Sequence, residues 1–178
     1  MFNEKVLLDI LNSFEVDTHT WGQGDAKSIT NLCEEISKKE TVLQIDSTGL
    51  FRIVRVVKML IIDHDLGTLV EQYQILPDGR KRVRNMMPGG KVMGNETPLQ
   101  TLHREAREEM AWTPEMYSVN NQTVSYKNDE SPSYPGLWNK YEFHCFELRV
   151  RPSIVNEIRE GFGHKEKDGT EHFFAWRK

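Results

Sequence analysis

The chain has 178 residues, of which 38% are hydrophobic and 28% charged, and its net charge is −4. That length suits one domain with a sizeable core and a small addition, and the acidic balance excludes a general attraction to nucleic acid or anionic membrane. Cys33 and Cys145 stand far apart without metal-ligand spacing, and no apolar run approaches the ~20 residues that span a bilayer, so a reduced, cytoplasmic protein with no membrane partner is expected. The N-terminal MFNEKVLLDILNSFEVD is too acidic, and its apolar run too short, for a signal peptide.

Val6, Leu7, Ile10, Leu11 and Phe14 recur at helical spacing and predict an amphipathic helix over residues 3–14. A second helix is expected over 26–38, capped by Asp25 or Ser28. Residues 41–45 read as a short strand. Residues 50–62, LFRIVRVVKMLII, are apolar on both faces and predict a central strand. A turn at 63–67 leads to a strand over 68–76, and Pro77-Asp78-Gly79 folds it into a hairpin with a strand over 82–87. That strand delivers the chain to Pro88-Gly89-Gly90.

Thr97-Pro98 with Gln100 marks a helix start. Threonine is the N-cap, proline takes the first helical position, and Gln100 completes a capping box. In this helix Glu105, Glu108 and Glu109 are spaced i, i+3, i+4 and share a face, while Leu99, Leu102, Ala106 and Met110 form a separate apolar stripe. Strands follow over 116–126 and 138–150, separated by a polar loop, 127–137. A short helix is expected over 153–160 and a last strand over 172–176. Together these elements predict a mixed sheet with helices on both sides, of α/β (α+β) class.

Three carboxylates on one face repel one another, by a few tenths of a kcal/mol for each like-charge pair. A hard divalent cation relieves that repulsion, and Mg²⁺ suits a few carboxylates plus a substrate phosphate. An ordinary solvated helix carries no reason for the glycine turn and Glu96 at their spacings. Arg80, Arg82 and Arg84 fall on one strand face, where a guanidinium can hold a phosphate, with a solvated hairpin as the alternative. The loop 127–137 is long, and Tyr134 between Pro132 and Pro135 offers a rigid face for stacking on a nucleoside. The six histidines show no ligand pattern.

From Gly90, five residues lead to Glu96 and seven more to Arg104-Glu105, followed by Ala106, Arg107, Glu108, Glu109, Met110, Ala111 and Trp112. This segment resembles the Nudix box in every charged position. It departs at Ala111, where the family places glycine, and the helix is therefore expected to run on toward Thr113 and stop at Pro114. The resemblance implies a Nudix-like αβα sandwich and a division into an N-terminal helical extension, 1–45, and a hydrolase domain, 46–178. The extension has three readings: a cap on the active site, a homodimer contact, or an added layer of packing.

The resemblance also implies Mg²⁺ or Mn²⁺ held by Glu105, Glu108, Glu109 and the Gly89 carbonyl, with Glu105 also orienting the attacking water. Gly90 permits close backbone approach, Glu96 and Arg104 form a structural ion pair, and Arg107 is read as solvated. An acid outside the box is expected as well. Glu166 is the candidate, with Glu171, Asp129 and Glu130 as rivals. The implied activity is pyrophosphohydrolysis of a small-molecule nucleoside diphosphate derivative. The candidate substrates are a nucleotide sugar, ADP-ribose, a nucleoside triphosphate, a dinucleoside polyphosphate, a diphosphoinositol phosphate and an RNA cap. The rival reading is a catalytically inactive nucleotide-binding or regulatory module, against which the complete carboxylate set argues.

Overall fold

Helices begin where capping side chains stand. In the computed structural model, which describes residues 3–178, Asn3 caps α1 (Glu4–Ser13), Ser28 caps α2 (Ile29–Ser37) and Thr97 caps α3 (Pro98–Met110). Each side chain accepts a backbone N–H of the first turn, satisfying a donor the helix itself leaves unpaired. The first two residues of the expected extension lie outside the described residues. The strands are β1 (Val42–Asp46), β2 (Gly49–Asp63), β3 (Gly67–Ile75), β4 (Lys81–Met86), β5 (Tyr117–Glu130), β6 (Trp138–Val150), β7 (Phe162–Lys165) and β8 (Glu171–Arg177), with α4 (Pro152–Glu157) after β6. β7 and a 3₁₀ turn at Pro114–Met116 have no counterpart in the sequence reading. The mixed sheet and flanking helices are those of a Nudix-like α/β fold.

The chain divides into two compact units. The first comprises the described part of Met1–Arg55 together with Lys91–Glu96 and Ser125–Phe143. The N-terminal segment shares its unit with two later stretches. The core of this unit is Leu7, Leu11, Trp21, Leu32, Leu50, Tyr134 and Leu137, and β1 pairs antiparallel with β2 from Val42↔Ile53 to Asp46↔Gly49. Inside it Glu35 pairs with Arg52, with Lys27 at 2.6 Å and with Lys91 at 3.0 Å. Burial disfavours the Glu35 charge, but these three cations hold its carboxyl down at about 2.

The second unit comprises Val56–Gly90, Thr97–Val124 and His144–Lys178. Its strands follow the hydrogen-bonded order β5-β6-β2-β3-β8-β7, with β4 added on β3. Leu102, Ala106 and Met110 of α3 are buried, as are Val57, Met59 and Ile61 of β2, Leu69 of β3 and Phe174 of β8, whereas Leu99 is 46% exposed. The apolar stripe of α3 is therefore one turn shorter than its spacing suggests. Opposite both β4 and β8 the register of β3 shifts between Glu71 and Tyr73. A bulge of this kind reverses which residues face inward. Leu69 and Glu71 are buried before it and Gln74 after it, so two polar side chains enter the unit from one strand.

Candidate active site

The site is built where α3 meets the Gly89-Gly90 turn. Glu105 and Glu109, one helical turn apart, are both buried, while the Glu108 side chain is half exposed. The Gly89 N–H donates to Glu109 Oε2 at 3.2 Å. A Cβ on Gly90 would sit 2.2 Å from Glu105 Oε1, and one on Gly89 would sit 2.1 Å from the Val57 carbonyl oxygen, at a φ of 140°. Only glycines admit the carboxylates and β2 this close. Arg104 Nη1 lies 2.7 Å from Glu105 Oε1 and 3.1 Å from Glu108 Oε2. Glu96, in the other unit, accepts the Met93 N–H at 3.3 Å.

Ala111 corrects the expectation that the helix runs on. The helix ends at Met110, and Ala111 itself takes the left-handed conformation, φ 58° and ψ 25°. Its N–H bonds to the Arg107 carbonyl at 3.1 Å, and the Trp112 N–H reaches the Ala106 carbonyl at 3.0 Å. This is the Schellman closure that glycine normally makes. Burial of the Trp112 side chain (3% exposed) anchors the turn against the backbone cost.

Two further groups meet Glu109. Ligand atoms of Glu109, Glu166 and His172 all lie within 4.8 Å of one another. His172 Nδ1 is 2.7 Å from Glu71 Oε1, and Glu71 Oε2 receives Arg84 Nε at 3.0 Å. His172 Nε2 is buried and lies 2.9 Å from Glu166 Oε1, an ion-pair distance. Arg82 donates through Nε to Gln74 Oε1 at 2.9 Å. Arg82 and Arg84 are thus both held by β3 side chains, Arg84 by a buried carboxylate.

Burial is the main reason that Glu105 is a weak acid. Glu108 and Glu166 add to it, Arg104 opposes it, and the carboxyl is pushed up to about 7. Burial, followed by the charges of Glu105 and Glu71, raises Glu109 well above the usual carboxylate range. Burial works against a charged His172 ring, but Glu166 and Glu71 outweigh it and raise the ring to about 10. Two crowded, buried carboxylates and a buried imidazole nitrogen beside Glu109 and Glu166 form a donor set that fits a divalent cation.

A cleft of about 470 Å³ opens alongside, lined by Arg107 and Glu108 of α3 and by residues 164–168. Arg107, read as solvated from the sequence, forms part of this wall. Of the rival acids, Glu171 pairs with Lys165 at 2.8 Å and Asp129 with Lys127 at 2.6 Å. Tyr134 departs furthest from expectation. β5 extends to Glu130, and the remaining turn closes through Ser131 N–H to the Leu137 carbonyl at 2.8 Å. The Tyr134 side chain is fully buried in the first unit, its ring packed on Trp21 and its hydroxyl donating to Glu35 Oε1 at 3.2 Å. No ring face is left for stacking on a ligand.

Neither Glu71 nor His172 was singled out from the sequence. His172 alternates inward with Phe174 along β8, and Glu71 with Leu69 along β3 ahead of the bulge, which are usable signals.

The chain belongs to the NUDIX-domain family, whose profile matches residues 54–174. It is accordingly a Nudix-type hydrolase acting on phosphorus-containing acid anhydrides. Similar solved structures include MutT, from work on Aliivibrio salmonicida and Vibrio cholerae, at 20% identity and a TM-score of 0.39 over 71% of this chain and 80% of that one. A NUDIX hydrolase from Nitrosomonas europaea is 18% identical, with a TM-score of 0.39 over 68% of this chain and 72% of the other. The Ap4A hydrolase of C. elegans is 17% identical, with a TM-score of 0.35 over 68% and 80%. No curated protein sequence matches. No helix among the described residues is long and apolar enough to cross a membrane.

Proposed function

We propose that this chain is a divalent-metal-dependent pyrophosphohydrolase of a small nucleoside diphosphate derivative. The observation that carries the reading is the burial of Glu105 and Glu109 together against a glycine turn, with the Glu105 carboxyl pushed up to about 7 and the Glu109 carboxyl raised well above the usual carboxylate range. Buried like charges are costly unless a cation compensates them. Glu105, Glu108, Glu109 and the Gly89 carbonyl would hold the ion, with Glu166 joining from outside the helix. A bound Mg²⁺ or Mn²⁺ supplies neutralising charge for phosphate oxygens and makes water more acidic.

The chain's own groups do the rest. Glu105, fixed by Arg104 Nη1 at 2.7 Å, orients the attacking water and accepts its proton. Arg107, Lys165 and Lys167 on the cleft walls bind phosphate oxygens and orient the anhydride. Arg84, tied to Glu71, keeps the carboxylate network in place.

The test is a panel of nucleotide sugars, ADP-ribose, nucleoside triphosphates and dinucleoside polyphosphates, assayed with Mg²⁺ and with Mn²⁺ for wild type and Glu109→Gln. Metal-dependent release of a phosphorylated product by wild type only is the expected result. Turnover by Glu109→Gln equal to wild type rejects the site, and binding without turnover by wild type favours the inactive module.

A further inference from the structure

His172 lies outside the glutamate helix and has no part in the reaction as read so far. The residue is 98% removed from solvent, and Nε2 lies 2.9 Å from Glu166 Oε1 beside Glu109, in a geometry that makes no regular hydrogen bond among the described residues. The opposite ring nitrogen is occupied. Nδ1 lies 2.7 Å from Glu71 Oε1, and the second Glu71 oxygen is held by Arg84 at 3.0 Å. A buried carboxylate behind one imidazole nitrogen fixes the ring's orientation and leaves the other nitrogen facing the carboxylate pair, where it can bind an ion once it gives up its proton, the arrangement found behind metal-binding histidines. Glu71 lies inward with Leu69 by alternation along β3, the strand paired with β8.

We propose that His172 supplies a nitrogen ligand, through Nε2, to a divalent cation shared with Glu109 and Glu166, with Glu71 as the orienting carboxylate behind the ring. The inference rests on the active-site reading above and adds to it a ligand from the last strand and a choice of ion. Mg²⁺ prefers oxygen donors in a near-ideal octahedron, whereas imidazole suits first-row transition ions. A mixed nitrogen–oxygen site therefore takes Mn²⁺ or Co²⁺ in preference to Mg²⁺. The ring binds as the neutral imidazole, and a proton carried on Nε2 leaves to the buffer as the ion enters.

The test uses the full-length chain freed of metal by chelation. Mn²⁺ and Mg²⁺ are titrated calorimetrically into wild type, His172→Gln and Glu109→Gln, and the Mn²⁺-loaded samples are examined by pulsed electron paramagnetic resonance for ¹⁴N coupling. Wild type should bind Mn²⁺ more tightly than Mg²⁺ and show an imidazole ¹⁴N coupling. His172→Gln should lose that coupling and at least about tenfold in Mn²⁺ affinity, with a much smaller change for Mg²⁺. Mn²⁺ binding that depends on Glu109 but shows no ¹⁴N coupling in wild type overturns the His172 ligand and leaves the active-site reading standing. Equal losses for both ions in His172→Gln make the residue structural. A wild-type chain that binds neither ion overturns both readings. The coupling is read on wild type itself, so an unfolded variant does not remove the test.

Discussion

Replacing Glu105 by glutamine should stabilise the metal-free protein, and only at the upper end of the pH range. The folded chain raises this carboxyl from the ordinary glutamate value of 4.5 to about 7. Folded protein then holds a proton that unfolded chain has released, so stability falls as pH rises through this window and stays low above it. At about 1.4 kcal/mol for each tenfold in proton affinity, the ionised carboxyl costs the fold about 3 kcal/mol at pH 8. Glutamine keeps the shape and still accepts from Arg104, but it surrenders a charge-assisted bond at 2.7 Å, which returns about 1 kcal/mol of the gain. The net expectation is about 2 kcal/mol at pH 8 and less than about 0.5 kcal/mol at pH 5. Urea unfolding in EDTA at the two pH values measures it. Adding Mn²⁺ should reverse the order, since an ion at 100 times its dissociation constant stabilises wild type by about 2.7 kcal/mol. A variant no more stable than wild type at pH 8, or equally stabilised at pH 5, would refute the claim that an uncompensated buried charge resides there.

Other outcomes follow from neighbouring features. Glu166→Gln should lower kcat by roughly 10²–10⁴ with a far smaller change in KM, as expected for a group that acts on a proton or an ion in the transition state; steady-state kinetics with the preferred substrate decide it. Ala111→Gly should raise stability by up to about 1 kcal/mol, because glycine removes a left-handed cost of about 1–2 kcal/mol while adding unfolded-state entropy; a lower melting temperature would contradict this. Glu35, held at about 2 by Lys27, Arg52 and Lys91 against the opposing effect of burial, contributes about 3 kcal/mol above pH 4.5 that is lost as pH falls toward 2. Glu35→Gln should therefore unfold far more readily than wild type at pH 7, and the difference should close in acid, as followed by circular dichroism.

Much of the site was legible because its core is local. Thr97, Pro98 and Gln100 fix where α3 begins, and helical geometry then forces Glu105, Glu108 and Glu109 onto one face whatever surrounds them. How deeply each is buried is not local. The face straddles the edge of the packed surface, so two glutamates are enclosed and Glu108 stays half exposed. Periodicity failed at β3 for a physical reason. A one-residue bulge exchanges the two faces midway, and no alternation rule can assign Glu71 and Gln74 to the same side. Tyr134 was misjudged because prolines and polar neighbours mark a turn without saying whether its aromatic side chain points out. Here a hydroxyl partner, Glu35, is waiting inside, which makes burial of the phenol affordable. Ala111 shows a local preference overruled by the tertiary anchor at Trp112.

The interleaving of the two units bears on how this chain can be cut. Leu7, Leu11, Trp21 and Leu32 share one core with Leu50, Tyr134 and Leu137, so a shortened chain starting at residue 46 would keep the later residues while losing their cover. Freshly bared leucines and a tyrosine next to a buried Arg52 deprived of Glu35 form a sticky, poorly folded surface. Loss of activity in such a fragment would report aggregation, and would say nothing about whether the N-terminal segment takes part in binding or catalysis. Point substitutions on its solvent face, such as at Val6 (40% exposed), are the way to ask that question.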